Sequence, residues 1–517
     1  MAAPVFLLWV SHCHRLHPRA SKRLRRAPQP LAIDLPGTTI EIARSRSGVL
    51  TMTKAKHKPA DASPPHRLSA SVIALYGMPS LGTGALLGML LLYYMKFATD
   101  VLLIAPATAG LIIGMSRLWD AIADPIAGYW SDRTRTRWGR RRPWIVFSAF
   151  PLGLAFFAVW APPAALGDVA MVVWTSVSTF VFLTAYTTFT VPYRAFGAEL
   201  SDDYHERTRV FAVSSFAGFA GAFFAIAMTY ALERSAEQRG TAAAYALAAG
   251  CFTTLAMILM AARLKERAEF QGRGGEQGWR SFLDVWRNPH ARPLLAIHVL
   301  GDLGSASFAG LMPFVSDYIL KTPGSTHLYQ LALLVGLTAG IPLWVPIARR
   351  LGKRGAWALA TAIQVPLCGI YFLLGEGDST VFLIGMGLIG VLNACAPTVA
   401  QSVQADVIDY DEYLTGERKE GVYFASWNLV QKMAYGLNFA LVGLLLEWSG
   451  FVANVEQNDA TRLAIGIGFA GLPLLTVTAS LICLLRFDFD EQAHAKVRSE
   501  LLIRATAGTL QRSPTPC

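Results

Sequence analysis

The run SRLWDAIADP at residues 116–125 lies within an otherwise apolar stretch, IAPATAGLIIGMSRLWDAIADPIAGYW, at residues 104–130. A stretch of this length is enough to cross a bilayer as a helix. Asp120 and Asp124 are four residues apart, so their side chains share one face of that helix. Asp120 would lie about 15 Å deep at 1.5 Å per residue. Carboxylates at such depth cost at least about 2.5 kcal/mol each and mark ion or substrate pathways.

The rest of the chain has the same apolar character. Of its 517 residues, 53% are hydrophobic and 16% are charged, whereas soluble domains carry about 25% charged residues. We therefore predict an all-α membrane protein with twelve transmembrane helices in two six-helix, pseudo-symmetric halves. The apolar windows of about 20 residues that define these helices centre near residues 82, 117, 153, 181, 220, 253, 306, 338, 365, 391, 436 and 474.

The basic character of the protein resides in its N-terminal segment. The net charge is +11, and residues 1–67 alone hold 12 Lys+Arg and 3 Asp+Glu. The high isoelectric point therefore gives no indication of nucleic-acid binding. We predict a disordered basic tail over residues 1–67, and we interpret residues 1–51 as an artefact of start-codon choice, because Met52 opens a compact Lys-rich leader. A cytoplasmic tail and an Arg-rich transit peptide are the alternatives.

The loops indicate the orientation in the membrane. Those after helices 2, 6, 8 and 10 are rich in Lys and Arg, whereas those after helices 1, 3 and 9 have almost none. Basic loops stay in the cytoplasm, so we predict a multi-pass protein of the plasma membrane or bacterial inner membrane with both termini cytoplasmic. The predicted parts are an N-terminal half, a linker, a C-terminal half and a cytoplasmic tail, at residues 68–264, 265–292, 293–487 and 488–517.

Two further ionisable residues are predicted at the depth of the aspartates. Lys432 and Asp302 each lie about 14 Å from the cytoplasmic end of a helix, by helix rise. Two carboxylates and one ammonium leave one negative charge, which a bound cation or a proton would neutralise. The alternative is that Asp120 pairs with Arg117 and holds no ion. Asp302 is a candidate substrate ligand, or it lines a wet cavity or pairs with His298.

Two charged clusters are candidates for gating. Asp132, Arg133 and Arg141 follow Gly128 in a turn that resembles the Gly-x-x-x-Asp-Arg-x-Gly-Arg-Arg signature of the major facilitator superfamily, with an insertion. A latch between helix ends is the preferred interpretation, and a positive-inside anchor is the alternative. Asp406 and Asp409 end helix 10, where they would pair with the basic loops of other helices.

Several motifs together resemble one family of that superfamily. They are Arg117-x-x-Asp120-x-x-x-Asp124-Pro125, Arg137-Trp138-Gly139, Pro143-Trp144 and Ala405-Asp406-x-x-Asp409-Tyr410, followed by Lys432. The combination is similar to the glycoside–pentoside–hexuronide:cation symporters, melibiose permease among them, over about residues 68–490. The resemblance implies the major facilitator fold. It also implies that Asp120, Asp124, Lys432 and Thr187 form a cation site, with Tyr186 beside it.

The sugar-binding positions depart from the family pattern. Gly84 and Thr190 stand where melibiose permease has sugar-binding aspartates, and Arg194 replaces a tryptophan. Ala123 removes a polar neighbour of the cation site. Since sodium, as a hard cation, prefers several oxygen ligands, we expect a proton in preference to sodium. The candidate substrate residues are Tyr186, Thr190, Arg194, Asp302, Trp427 and Asn428.

These observations predict a monomeric secondary active symporter of a glycoside or related small polar solute. Its partners would be that solute and the lipid bilayer, with no nucleic acid. A transporter of a lipid-like or drug-like amphiphile is the alternative within the class, and a non-transporting membrane sensor is the alternative outside it. We do not expect an enzyme, a cofactor or a metal site. The sequence has no His-Glu-x-x-His, Gly-x-Ser-x-Gly or Walker motif, and its six cysteines lack metal-ligand spacing.

Overall fold

The computed structural model describes residues 31–35, 38–44, 50–55, 68–201, 203–266, 285–417, 419–489 and 491–512. These belong to two compact units, Met1–Arg67 and Leu68–Cys517. The described elements of the second unit are helices, with one isolated bridge between Thr136 and Gly139, and this unit contains every residue predicted to carry function. The predicted artefact at residues 1–51 and the linker at 265–292 lie largely outside the described residues.

Six long helices precede the gap at residues 267–284. The helices are α1 Ala70–Leu92, α2 Pro106–Arg133, α3 Arg142–Trp160, α4 Asp168–Glu199, α5 Tyr204–Arg234 and α6 Gln238–Arg263. After α1 the chain continues through a short helix, Tyr94–Lys96, and a π-helical turn, Phe97–Val101. We refer to this group as the first half.

The second half follows the gap. Its helices are α7 Ala291–Phe314, α8 and α9 within Thr326–Tyr371, α10 Ser379–Thr415, α11 Glu420–Trp448 and α12 Asp459–Arg486. A π-helical turn, Val315–Ile319, extends α7, and α10 and α12 each contain one. The last described helix is α13, Glu491–Arg512, which packs on the end of α10.

The prediction of twelve membrane-crossing helices is confirmed. Ten helices among the described residues are long and apolar enough to cross a membrane. One of them, Thr326–Tyr371, is two helices joined at Gly352, whose φ of 73° and ψ of 164° are not helical. The twelfth is α2, which has 28 residues but is made less apolar by Arg117, Asp120 and Asp124.

The ends of the helices follow from local chemistry. Ser69 and Asp203 cap α1 and α5, because their side-chain oxygens accept hydrogen bonds from Val72 N and Glu206 N. Pro106 stands at the first position of α2, where its missing N–H is no loss. At the other end of a helix, Gly416 closes α10 in the left-handed conformation, with φ 73°.

The two halves meet most closely where α2 crosses α11. A Cβ atom added to Gly110 would collide with the carbonyl oxygen of Phe439, and one added to Gly443 would collide with that of Pro106. Small residues allow two backbones to approach to this extent. The crossing fixes the position of both helices, and these helices carry the aspartates and Lys432.

Residues 31–55 differ from the predicted disordered tail. Three antiparallel strands, β1 Leu31–Leu35, β2 Thr38–Arg44 and β3 Leu50–Ala55, pair in the order β1-β2-β3. Leu31 faces Ile42, and Arg44 faces Leu50. Alternating β-branched residues and the Pro-Gly pair between β1 and β2 favour a hairpin, a local pattern that the overall polarity of the tail concealed.

Candidate functional site

The predicted cation-site residues come together between the two halves. Lys432 Nζ on α11 lies 2.7 Å from each carboxylate oxygen of Asp124 and 3.0 Å from Asp120 Oδ1, both on α2. The Thr187 hydroxyl on α4 donates to Asp120 Oδ1 and lies 3.2 Å from Asp124 Oδ1. Asp120 and Thr187 are completely buried, whereas Asp124 faces a cavity.

Arg117 changes the charge balance that was expected from the sequence. Its guanidinium lies 3.0 Å from Asp120 Oδ2, one turn along α2. With Lys432 on Asp124, the cluster holds two positive and two negative groups and is neutral. The expected surplus negative charge is therefore absent from this conformation. Arg117 pairs with Asp120, but Asp120 also contacts Lys432 and Thr187, and ion binding at the cluster stays a prediction.

The cavity below this cluster is large and open on one side. Its volume is about 2600 Å³, and its wall runs from Gly114 and Arg117 to the loop residues Arg135, Arg137 and Trp286. It thus opens at the ends of the helices that carry the basic loops, which we call the basic face. Tyr186, Thr190, Arg194 and Asn428 line it as predicted for substrate-binding residues.

Two predicted substrate residues do not line the described cavity. Trp427 is buried and packs on Tyr423 and Phe424, with ring centroids 5.7 and 5.5 Å away. One residue along α11 from Asn428, it points about 100° away from it, toward the interior of the second half. Asp302 is half-buried on α7 and accepts a hydrogen bond from Gln431, while His298 pairs with Gln404.

The predicted gating residues form contacts within their own halves. Arg141 joins Asp132 and Glu199, both at 3.0 Å, and Arg140 lies 2.5 Å from Glu199. In the second half, Asp406 lies 2.6 Å from Lys353 at the start of α9, directly after Gly352, and Asp409 lies 3.0 Å from His494 of α13. Arg133 stacks on Tyr129 at 3.6 Å. Of these residues, Tyr129, Asp132, Arg133, Arg140 and Arg141 line the open cavity at the basic face.

The opposite face is closed by contacts between the halves. Lys96 lies 2.7 Å from Asp100 in its own half and 2.7 Å from Asp317 in the other. We call the whole group of closing residues the outer seal. It comprises Lys96, Asp100 and Glu233 of the first half and Asp317, Tyr318, His327 and Asn454 of the second.

Sequence reasoning missed the outer seal. Lys96 resembles a residue that extends toward the membrane surface, yet it is buried and lies between two carboxylates. The spacing of Lys96 and Asp100 by four residues was a usable signal for the pair within one helix end. Nothing in the local sequence indicates that Asp317, more than two hundred residues away, completes the group.

The chain belongs to the MFS/sugar transport protein family, whose model matches residues 75–491. It is 25% identical to an inner membrane symporter of Escherichia coli, YicJ, over 80% of this chain and 90% of that protein. It is also 24% identical to the sodium-dependent lysophosphatidylcholine symporter 1-A of Danio rerio, over 81% of this chain and 85% of that protein.

The fold agrees with this membership. The crystal structure of a D-xylose–proton symporter superposes with a TM-score of 0.61 at 13% identity, covering 81% of this chain and 97% of the other. The expected major facilitator fold is therefore confirmed. The relatives are named as symporters, and this family membership makes the protein an integral membrane transporter.

Proposed function

We propose that the protein is a secondary active symporter that carries a glycoside or related small polar solute together with a cation, a proton in preference to sodium. One observation carries the proposal. Lys432 from the second half holds both carboxylates of the first half at the inner end of a cavity that is open on one face only. A site placed there is exposed to one side of the membrane at a time, as alternating access requires.

The described conformation corresponds to one of the two facing states that alternating access requires. The outer seal joins the halves on one side, while the charged pairs of the basic face lie within each half and leave the cavity open. If the basic face is cytoplasmic, as the loops predict, this conformation faces inward. Rocking of the halves about the α2–α11 crossing would open the seal and close the basic face.

The ion pairs of the cluster provide the coupling. When a proton binds Asp124, its neutral carboxyl group attracts Lys432 less, so this ionic contact between the halves weakens. An ammonium hydrogen that Asp124 no longer holds can then donate to an oxygen of the solute, while Lys432 stays in contact with Asp120. Ion binding and solute binding thus favour the same rearrangement, and coupling between two ligands requires such a shared change.

The ligands near Asp124 favour a proton. Both of its carboxylate oxygens already accept from Lys432, and Asp120 is held by Arg117 and Thr187. Sodium would need several free oxygen ligands, and the neighbouring Ala123 side chain supplies none. A proton needs only one carboxylate oxygen.

Internal pH in proteoliposomes tests the proposal. A panel of glycosides is added outside vesicles that contain a trapped pH dye and wild type, Asp124→Asn or the control Asp459→Asn, which changes an exposed carboxylate at the start of α12. We expect solute-dependent acidification in wild type and the control, and its loss in Asp124→Asn. Uptake driven by a sodium gradient without pH dependence would show that the proton assignment is wrong.

A lipid-like amphiphile is the second candidate solute. The cavity wall between α2 and α11 carries a set of exposed apolar or aromatic side chains, namely Met115, Ile122, Tyr129, Phe424, Met433 and Leu437. An acyl chain would fit along this surface. Competition by lysolipids, but not by glycosides, for uptake would favour this candidate.

A further inference from the structure

Arg194 lies in the cavity wall on the same face of α4 as two other predicted substrate residues. Tyr186, Thr190 and Arg194 follow one another at intervals of four residues on α4, so they form one stripe, and all three line the cavity. Among the described residues, no carboxylate lies within ion-pair distance of the Arg194 guanidinium, unlike those of Arg117, Arg140 and Arg141. Arg194 is exposed to the cavity.

The stripe begins at the neutral cluster. Thr187, next to Tyr186, donates to the Asp120 carboxylate. From Tyr186 to Arg194 the helix rises by about 12 Å at 1.5 Å per residue. A solute lying along the stripe would therefore reach Lys432 and Asp124 at one end and a free guanidinium at the other.

The charged side chains of the cavity wall are mostly positive, like Arg194 itself. Eight of the described side chains that line the cavity are basic and two are acidic. The partners Asp120 and Glu199 reduce this difference, but four positive charges remain in excess. A concave surface with one dominant sign concentrates ions of the opposite sign.

We infer that Arg194 is an anion anchor and that the cavity takes a solute bearing a carboxylate or phosphate group. The planar guanidinium binds either group through two parallel hydrogen bonds. The inference rests on the proposed function, because it assigns the class of solute to the same site. It selects anionic solutes over neutral glycosides of the same size.

Two matched pairs of probes test the anchor and identify its source. Nitrophenyl β-glucuronide and nitrophenyl β-glucoside differ in a carboxylate, and oleoyl lysophosphatidate and monooleoylglycerol differ in a phosphate. Binding of each is measured by calorimetry to full-length protein in detergent, without any ion gradient. Failure of the anchor is thus distinguishable from failure of cation coupling, which the internal-pH experiment measures.

The expected result is at least about tenfold tighter binding of the anionic member of one pair, since hydrogen bonds to charged groups contribute this much. Preference within the sugar pair identifies a soluble solute, and preference within the lipid pair identifies an amphiphile. Arg194→Gln should abolish the preference, and Arg194→Lys should keep part of it. The control Arg137→Gln, at the exposed rim of the cavity, should change it little.

Three outcomes would overturn the inference. They are equal binding of both members in each pair, a preference that survives in Arg194→Gln, and no binding of any of the four probes. An equal loss of preference in Arg137→Gln and Arg194→Gln would assign the selectivity to the general positive field and would also exclude an anchor at Arg194.

Discussion

Lys432 Nζ lies 2.7 Å from each carboxylate oxygen of Asp124, and the two residues belong to different halves of the molecule. A single ammonium thus connects the halves at the depth where the cavity ends. Because Arg117 pairs with the completely buried Asp120, Asp124, which faces the cavity, is the carboxylate that a proton can reach. The consequences of this arrangement, and of the contacts around it, can be measured.

Arg117→Gln should destabilise the protein strongly. The change leaves the completely buried Asp120 carboxylate without its guanidinium, and removing one partner of a buried ion pair costs about 3–5 kcal/mol. Thermal unfolding of purified protein should show a lowered midpoint. In the double variant Arg117→Gln, Asp120→Asn most of the loss should be recovered, and an equally low midpoint in the double variant would contradict the pairing.

Lys96→Ala should shift the protein toward a conformation that is open at the outer seal. Lys96 is the only described cation between Asp100 and Asp317, so its removal replaces attraction between the halves by repulsion. Spin labels at positions 103 and 452, on exposed residues of the two halves, should report a longer distance by pulsed electron resonance.

A matched lysine provides the control for that shift. Lys321 lies 3.1 Å from both Glu376 and Glu456, all within the second half. Lys321→Ala should therefore leave the distance between the labels unchanged. An identical lengthening in both lysine variants would mean that the outer seal does not hold the halves together.

Gly443→Ala should lower the unfolding midpoint by the equivalent of about 1–3 kcal/mol, the usual cost of overpacking. The new methyl group would meet the Pro106 carbonyl at the α2–α11 crossing. The control is Gly466→Ala, whose Cβ atom would have no neighbour within 4 Å. The control should be neutral or slightly stabilising, because alanine favours a helix over glycine, and equal losses in the two variants would contradict the close crossing.

His290 should make stability depend on pH. Burial lowers the pKa of His290 below its usual 6.5, and Asp488 opposes this only in part; Tyr410, Phe487 and Phe489 surround the ring. The folded protein therefore binds this proton less readily than the unfolded chain does. Its contribution to stability is present above pH 6.5 and is lost as the pH falls toward the lowered pKa.

Unfolding midpoints measured across this pH range test the dependence. His290→Phe should lose less stability on acidification than wild type, since the phenyl ring that replaces the imidazole cannot take up a proton. Parallel pH profiles of wild type and His290→Phe would show that the group does not act in this way.

The helices could be predicted from the sequence because a bilayer demands long apolar runs with satisfied backbones. The agreement in depth of Asp120, Asp124 and Lys432 followed from helix rise alone, and the structure brings these residues together. The position of Trp427 could not be predicted, because neighbouring residues on a helix point about 100° apart. Asn428 therefore faces the cavity, whereas Trp427 faces the interior. The strands at residues 31–55 were not predicted, because the basic composition of the N-terminal segment indicates disorder. Only the local alternation of β-branched residues indicates strands there.

Long-range pairs were the least predictable part of the site. Asp317 and Lys96 are joined only after both halves have folded, and no local pattern specifies such a contact. The surroundings of Arg194 were equally hard to predict, because the sequence identifies it only as a substitution at a substrate position. Only the structure shows that its guanidinium has no described carboxylate partner.

The two ion pairs of Lys96 in the outer seal differ, because one lies within the first half and the other joins the halves. Lys96 and Asp100 are four residues apart on one helix end, so they remain together when the halves separate, and Asp317 alone loses its counter-ion. Opening the seal therefore breaks the ion pair between Lys96 and Asp317 but leaves the ion pair between Lys96 and Asp100 intact. Salt on the side of the membrane that the outer seal faces screens exposed charges over about 8 Å at physiological strength, and it would stabilise the detached Asp317 and slow re-closure. The turnover rate of the transporter should then fall as the ionic strength on that side rises.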